Sequence, residues 1–104
     1  MQQLTIGDNN VVEVQRLRNE VTGETVTDAN VELTIYDRSG NPVAGQVWPE
    51  IMGHVADGLY RGTLDSTLEL SQGGHYRGVV TAIDTGGRKK TWHIVFKAYH
   101  DKVM

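Results

Sequence analysis

The sequence predicts an all-β fold, a sandwich of about seven antiparallel strands arranged in two sheets. Apolar and polar residues alternate with a period of two along most of the 104 residues, as half-buried strands require. Clusters of turn-forming Gly, Pro, Asn and Asp recur about every 8–12 residues. No stretch shows the periodicity of an amphipathic helix.

Length and composition indicate one domain over residues 1–104, with residues 99–104 frayed at its end. Hydrophobic residues make up 38% and charged residues 22% of the chain, which is too apolar a composition for a disordered protein. The N-terminal segment has neither the basic nor the apolar region of a secretory signal, and no apolar run reaches about 18 residues. We therefore expect either cytoplasmic synthesis or a signal that has been removed, and no membrane partner.

Cysteine is absent and the net charge is −3. The lack of cysteine excludes disulfides and thiolate chemistry. The acidic balance argues against nucleic acid as the main partner, since phosphate binding needs clustered Lys and Arg. Residues 1–52 carry a net charge of −5 and residues 53–104 one of +2. This asymmetry is consistent with strand sets that have different surfaces, or with head-to-tail contact between copies.

The sequence pattern in the first part of the chain predicts three strands. A short edge strand ends in the turn-forming residues 7–10, and a longer strand follows it. Residues 20–30 are expected to form a loop, after which a strand with one buried face begins. The alternating apolar residues of these strands are Leu4, Ile6, Val12, Val14, Val31, Leu33 and Ile35.

The middle of the chain has a weaker pattern. Residues 37–42 have the Gly and Pro chemistry of a turn. Residues 43–48 are predicted to form a strand, which Pro49 ends or confines to a sheet edge. Residues 50–58 are predicted to be irregular, with a turn at Asp57 and Gly58.

The last part predicts a strand over residues 59–64, a short helical turn over 65–71, and a hairpin of residues 76–84 with 91–98. The residues expected to point inward from the first two elements are Tyr60, Gly62, Leu64, Leu68 and Leu70.

Parity limits the loop of this final hairpin. The inward residues of its two strands are all even-numbered: Tyr76, Gly78, Val80 and Ala82, then Trp92, Ile94 and Phe96. They share a face only if the loop has an odd number of residues, such as three or five, centred near Gly86. In that register His93 lies opposite Val79, and His75 lies opposite Lys97.

Tyr76 follows Leu70 and the pair Gly73-Gly74 at the start of a long strand. In immunoglobulin-like sandwiches a tyrosine at this corner bonds through its hydroxyl to a nearby backbone group. We therefore assign Tyr76 a structural role rather than a catalytic one and predict an immunoglobulin-like sandwich. The run from Leu70 to Asp84 resembles fibronectin type III and related domains.

No catalytic, cofactor-binding or metal-binding set of residues is predicted. The four histidines have no metal-ligand spacing and are not expected to be cross-strand neighbours. Carboxylates are scattered, and no serine stands in a nucleophile motif. The glycine pairs precede strands, which indicates turns rather than phosphate-binding loops. A small hydrolase is the function class with the least support.

The candidates for partner binding are Trp48, Arg88, Lys89 and Lys90. Trp48, next to Pro49, is either a core residue or an exposed aromatic for a protein or a sugar. The basic run is either a solvated hairpin tip that discourages edge pairing or a nucleic-acid contact. The protein-binding hypothesis takes all four as contacts.

A wider resemblance covers most of the chain. Small structural proteins of tailed bacteriophages and prophages have a Gly-Asp start, an Ala-x-Val strand, a Gly-x-Pro-Val hairpin and a Gly-x-Tyr strand in this order. The similar pieces here are Ile6-Gly7-Asp8-Asn9-Asn10, Asp28-Ala29-Asn30-Val31-Glu32-Leu33, Asp37-Arg38-Ser39-Gly40-Asn41-Pro42-Val43, Gly58-Leu59-Tyr60-Arg61-Gly62, Tyr76 and Trp92.

This resemblance implies a non-enzymatic virion or assembly role: head decoration, head–tail joining, or a tail accessory. The chain is then made in the host cytoplasm and joins the virion. Its implied partners are other virion proteins, with a homo-oligomer as a further option, and no cofactor, nucleic acid or membrane. The alternative is a carbohydrate- or cell-surface-binding module of a larger adhesin.

Overall fold

The computed structural model describes residues 2–15, 17–18, 26 and 28–100, and these residues form seven strands and no helix. The strands are β1 (Gln2–Ile6), β2 (Asn10–Val14), β3 (Asn30–Tyr36), β4 (Glu50–Ala56), β5 (Leu59–Leu64), β6 (His75–Ile83) and β7 (Lys89–His100). The prediction of an all-β domain is thereby confirmed. Within the described ranges, no helix exists that is long and apolar enough to cross a membrane.

All seven strands belong to one hydrogen-bonded order, β1-β7-β6-β3-β4-β5-β2. The sequence analysis predicted two sheets, but β4 pairs with both β3 and β5, so the sheet is continuous. The prediction of antiparallel strands holds for every pair except β1 and β7, which run parallel. Alternation of apolar residues is the same for either strand direction, so the sequence pattern does not distinguish the two.

The strand β4 passes from one half of the sheet to the other. Its first residues, Glu50 to Met52, pair with β3. From Gly53 onward it pairs with β5, and the register shifts between His54 and Ala56 as in a β-bulge. A bulge bends a strand and increases its twist, and here it follows the point at which β4 changes partner from β3 to β5.

The core is built from the alternate positions of the strands. Val31, Leu33 and Ile35 of β3 are fully buried, as predicted. Tyr60 and Leu64 of β5 and Phe96 of β7 are also among the least exposed side chains. The complete buried set is Leu4, Val12, Val14, Leu17, Val31, Leu33, Ile35, Val43, Met52, Tyr60, Leu64, Leu68, Tyr76, Val80, Ala82, Phe96 and Ala98. The inward faces predicted for β3, β5 and β6 are confirmed.

The final hairpin has the predicted register. Tyr76 pairs with Phe96 and Val80 with Trp92, and the strands close at the pair of Ile83 and Lys89. Residues 84–88 therefore form a five-residue loop, closed by a 3.0 Å hydrogen bond from the Asp84 N–H to the Arg88 carbonyl oxygen. The predicted odd-length loop around Gly86 is confirmed.

Three predictions for the middle of the chain are wrong. Residues 50–56 form β4, whose exposed side chains and bulge hide the alternation that marks other strands. Residues 43–48 are not a strand. They connect to the loop after β5, where the Thr67 hydroxyl donates to the carbonyl oxygen of Gly45 at 2.8 Å. Residues 65–71 contain a hydrogen-bonded turn but no helix, although Leu68 is buried as expected.

The end of β7 departs from the predicted frayed tail. Tyr99 and His100 pair with Thr5 and Ile6 of β1 and so extend the parallel ladder. Residues 101–104 lie outside the described part of the chain, as does most of the loop predicted over residues 20–30.

Candidate functional site

The strands β3, β6 and β7 present an outer face that points away from the core. It consists of the residues that alternate with the buried ones, because successive side chains of a strand point to opposite sides. These residues are Asn30, Glu32, Thr34, Tyr36, His75, Arg77, Val79, Thr81, Ile83, Lys89, Thr91, His93, Val95, Lys97 and Tyr99. Since all of them are on paired strands, the strand register fixes their relative order on this face.

Two cation–aromatic contacts lie at one corner of the outer face. The guanidinium carbon of Arg77 is 5.8 Å from the ring centroid of Tyr36, and the Lys97 Nζ is 5.4 Å from that of Tyr99. Such contacts hold a long cationic side chain over a ring without neutralising its charge. We call Tyr36, Arg38, His75, Arg77 and Lys97 the cationic corner.

The strand register explains why these residues meet. Tyr36 pairs with Arg77, which pairs with Val95 in turn, so the three lie in one row across β3, β6 and β7. His75 and Lys97 pair in the next row. Neighbouring strands are about 4.8 Å apart, which brings residues from distant parts of the sequence within side-chain reach.

A groove of about 400 Å³ opens at this corner. It lies between the turn that follows β3 and the start of β6. Its lining residues are Asp37, Arg38, Ser39, Gly40, His75, Tyr76, Arg77 and Val95. A smaller hollow of about 240 Å³ extends it past Gly73 and Gly74.

Asp37 holds one wall of the groove in place. Its Oδ1 accepts hydrogen bonds from the N–H groups of Ser39, at 2.9 Å, and Asn41, at 3.0 Å. The Asp37 N–H donates to the Asn41 carbonyl oxygen at 2.9 Å. Gly40 takes a φ of 86°, which a side-chain-bearing residue rarely adopts. The carboxylate of Asp37 thus stabilises its own turn.

Tyr76 forms the opposite wall. Its hydroxyl oxygen accepts a hydrogen bond from the Ser71 N–H at 2.8 Å, so the predicted corner bond to the backbone is confirmed. Gly74 lies so close to the ring that an added Cβ would be 2.9 Å from the Tyr76 hydroxyl oxygen. The tyrosine therefore has a structural role at the edge of the groove.

The charge of the cationic corner is not neutralised within the described residues. Arg38, Arg77 and Lys97 form no ion pair there, in contrast to Arg61, which bonds Glu13 at 2.8 Å. Arg38 and Arg77 are exposed, and Lys97 is half-buried. A concentration of positive charge therefore faces solvent on a protein whose net charge is −3.

Trp48 and the basic run of residues 88–90 lie apart from one another, and none of the four residues predicted to contact partners lines the groove. The half-buried Trp48 packs against the core, and its Nε1–H donates to the Val43 carbonyl oxygen at 2.7 Å. Val43 is bonded to Ile35 near the end of β3. Arg88, Lys89 and Lys90 are exposed at the other end of the sheet, where the last residue of β6 pairs with the first of β3.

The histidines are distributed over the structure. His75 and His93 lie opposite Lys97 and Val79, as the hairpin register predicted. The His54 ring packs edge-on to Tyr60, with ring centroids 5.2 Å apart. In the described part of the chain no three His, Cys, Asp or Glu side chains are grouped so as to hold a metal ion.

Sequence reasoning missed the cationic corner because its residues come from three separate segments. The parity of the final hairpin does place Arg77 and Lys97 on the outer face. Adding Tyr36 and Arg38 requires the pairing of β3 with β6, which no local pattern predicts. Comparison of the chain with protein families, curated proteins and solved structures finds no match.

Proposed function

We propose that this protein is a non-enzymatic module that binds another protein through the cationic corner and its groove. The observation that carries the proposal is the group of Arg38, Arg77 and Lys97, which form no ion pair within the described residues and two of which lie over aromatic rings. Arg and Tyr are the residues most enriched where binding energy is concentrated in protein interfaces. Val95, 49% exposed between them, adds an apolar contact.

The partner in this proposal is another virion protein of a tailed bacteriophage or prophage, as the resemblance of the chain implies. The chain would join the particle as a head decoration, head–tail joining or tail accessory protein. If many copies of the chain are present in one particle, the modest binding energy of each copy adds up to a stable attachment. Association between copies of this chain is a second contact compatible with the same role.

We also propose that the fold is a variant of the immunoglobulin-like sandwich. Two features support the assignment: the Tyr76 hydroxyl bonds to the backbone before its strand, and β4 divides its pairing between β3 and β5. In this view the two halves of the sheet on either side of β4 correspond to the two layers of the sandwich.

Site-specific photo-crosslinking in purified particles tests the function. A photoreactive residue replaces Val95, at the groove, or Val11, which is 55% exposed on β2 and serves as a matched control. We expect the chain in the particles by mass spectrometry, and crosslinks to one virion protein from position 95 but not from position 11. Absence of the chain from particles, or equal crosslinking at both positions, would overturn the proposal.

A further inference from the structure

We infer that the groove recognises an extended acidic segment of the partner, in which carboxylate side chains occupy alternate positions. This inference rests on the proposed protein-binding function and specifies the chemistry of the bound segment. Three properties of the corner carry it: its charge, the spacing of its cations, and its apolar flank.

The charge of the corner selects an anionic partner. Arg38, Arg77 and Lys97 have no ion pair within the described residues. The one carboxylate in the groove, that of Asp37, bonds two backbone N–H groups and adds one negative charge against the three cations, so the corner keeps an excess of positive charge. An acidic segment would therefore neutralise cations that no side chain of the described chain neutralises, and arginine would bind its carboxylates in bidentate fashion.

The spacing of the cations matches an extended chain. Arg77 lies in the row of Val95, and Lys97 is two residues farther along β7. Two residues of a strand span roughly 6.8 Å along its axis. Side chains at positions i and i+2 of an extended peptide point to the same side at that same spacing. Because Arg77 is on β6, one strand to the side of Lys97, a segment lying over β6 and β7 can place one carboxylate near each cation.

The apolar flank indicates a peptide rather than a small anion. Val95 is exposed beside Arg77 in the same row, and the half-buried Tyr36 ring lies on the other side of the guanidinium. A phosphate or a single carboxylate would leave this surface uncovered. The aliphatic carbons and backbone of a peptide segment would cover it and exclude water from the ion pairs.

Fluorescence anisotropy with two labelled six-residue peptides of identical composition, each spanning roughly 20 Å when extended, tests the inference. One peptide carries glutamates at alternate positions flanked by valine and serine; the other carries them in one block. We expect the alternating peptide to bind at least about fivefold more tightly, and its affinity to fall as salt is raised. Equal binding of the two peptides would show that the site responds to their total charge and not to the spacing of their glutamates. This result would overturn the inference.

Variants locate the site. Arg77→Glu and Lys97→Glu are each expected to weaken binding of the alternating peptide about tenfold, since each places a like charge against it. Lys89→Glu, an exposed cation at the hairpin tip, makes the same charge change and is expected to leave binding within about twofold at moderate salt. Circular dichroism confirms that each variant is folded. An equal loss of peptide affinity in all three variants would overturn the assignment of the site.

The peptide result and the particle result separate the two proposals. If position 95 crosslinks to a virion protein but neither peptide binds, the acidic segment is wrong and the binding function stands. If position 95 does not crosslink, the function fails whatever the peptides do. Sedimentation of the protein alone tests self-association, and dimerisation that Arg77→Glu abolishes would replace the partner segment by a second copy of this chain.

Discussion

The side-chain amide of Asn10 bonds to both backbone polar groups of Thr5. The Thr5 N–H donates to Asn10 Oδ1 at 2.8 Å, and Asn10 Nδ2 donates to the Thr5 carbonyl oxygen at 3.0 Å. Thr5 belongs to β1 and Asn10 to β2, the two strands at opposite ends of the sheet order. The side-chain amide of Asn10 thus replaces one pair of backbone hydrogen bonds and connects the two edge strands of the sheet.

Replacing Asn10 tests this connection. Asn10→Ala removes both bonds and is expected to lower the free energy of unfolding by about 1–3 kcal/mol in urea denaturation. Asn10→Asp keeps the acceptor for the Thr5 N–H but places a carboxylate oxygen against the Thr5 carbonyl, so it is expected to destabilise as well. Asp8→Ala, an exposed change in the same turn, is the control. Equal stability of the Asn10 and Asp8 variants would contradict the assignment.

Tyr60 makes the second such connection, between β5 and the segment before β3. Its hydroxyl donates to the Val26 carbonyl oxygen at 2.7 Å and accepts from the Ala29 N–H at 3.2 Å. We expect Tyr60→Phe to cost about 1–3 kcal/mol in unfolding free energy. Tyr36→Phe, on the outer face, removes a hydroxyl with no hydrogen bond to the described residues and is expected to change stability by less than about 0.5 kcal/mol.

Tyr60 also gives stability a dependence on pH. Burial, with a smaller contribution from the charge of Asp28, raises the pKa of the phenol above its ordinary value of 10.0, although the Ala29 hydrogen bond opposes the shift. The folded state then retains the proton longer than the unfolded state, so this stabilisation is complete below pH 10 and is lost as pH rises through the folded-state pKa. The stability gap between wild type and Tyr60→Phe should stay constant below pH 10 and shrink as the pH rises above 10 in urea melts; a gap that stays constant above pH 10 would refute the shift.

Gly78 is required by the packing of the core beneath the outer face. A Cβ at this position would lie 2.7 Å from Cε2 of Phe96 and 3.3 Å from a methyl carbon of Leu33. We expect Gly78→Ala to destabilise by about 1–3 kcal/mol, the usual cost of overpacking. Gly53→Ala on β4 meets no atom within 4 Å and serves as the matched control. Thermal unfolding of both variants provides the comparison, and similar midpoints would contradict the predicted clash.

Deleting Gly86 tests the five-residue loop. The even-numbered residues of β7 would move to the opposite face relative to β6, or the loop would strain to prevent it. We expect the deletion to abolish cooperative urea unfolding. Gly86→Ala keeps the length, adds a Cβ 3.4 Å from Asp84 Oδ1, and should unfold cooperatively. A deletion variant as stable as this control would show that the register tolerates an even loop.

The elements that sequence reasoning predicted correctly obey rules of short range. The inward faces of β3, β5 and β6 follow from alternation, and the β6–β7 register follows from the parity of one loop. The bond of the Tyr76 hydroxyl follows from the spacing of its corner. In each case the interacting residues lie on one strand, on adjacent strands, or within one turn.

The remaining elements depend on pairings that no local pattern contains. In β4 the exposed Ile51 and Val55 and the shifted register at His54 remove the alternation by which strands are recognised. The pattern of buried residues in β1 does not indicate whether this strand pairs parallel or antiparallel to its neighbour. The groove requires Arg38, Arg77 and Lys97 to meet, and only the long-range pairing of β3 with β6 brings the first of them to the others.

The parallel pairing of β1 with β7 has a mechanical consequence. Gln2 pairs with Phe96 and Ile6 with His100, so tension applied through the segments before β1 and after β7 would pull the two strands in opposite directions along their axes. The hydrogen bonds between them would then share the load in shear instead of opening one at a time, as they do when a hairpin is pulled apart at its ends. A force that stretches the chain between these two strands would therefore be resisted by all of the β1–β7 hydrogen bonds together.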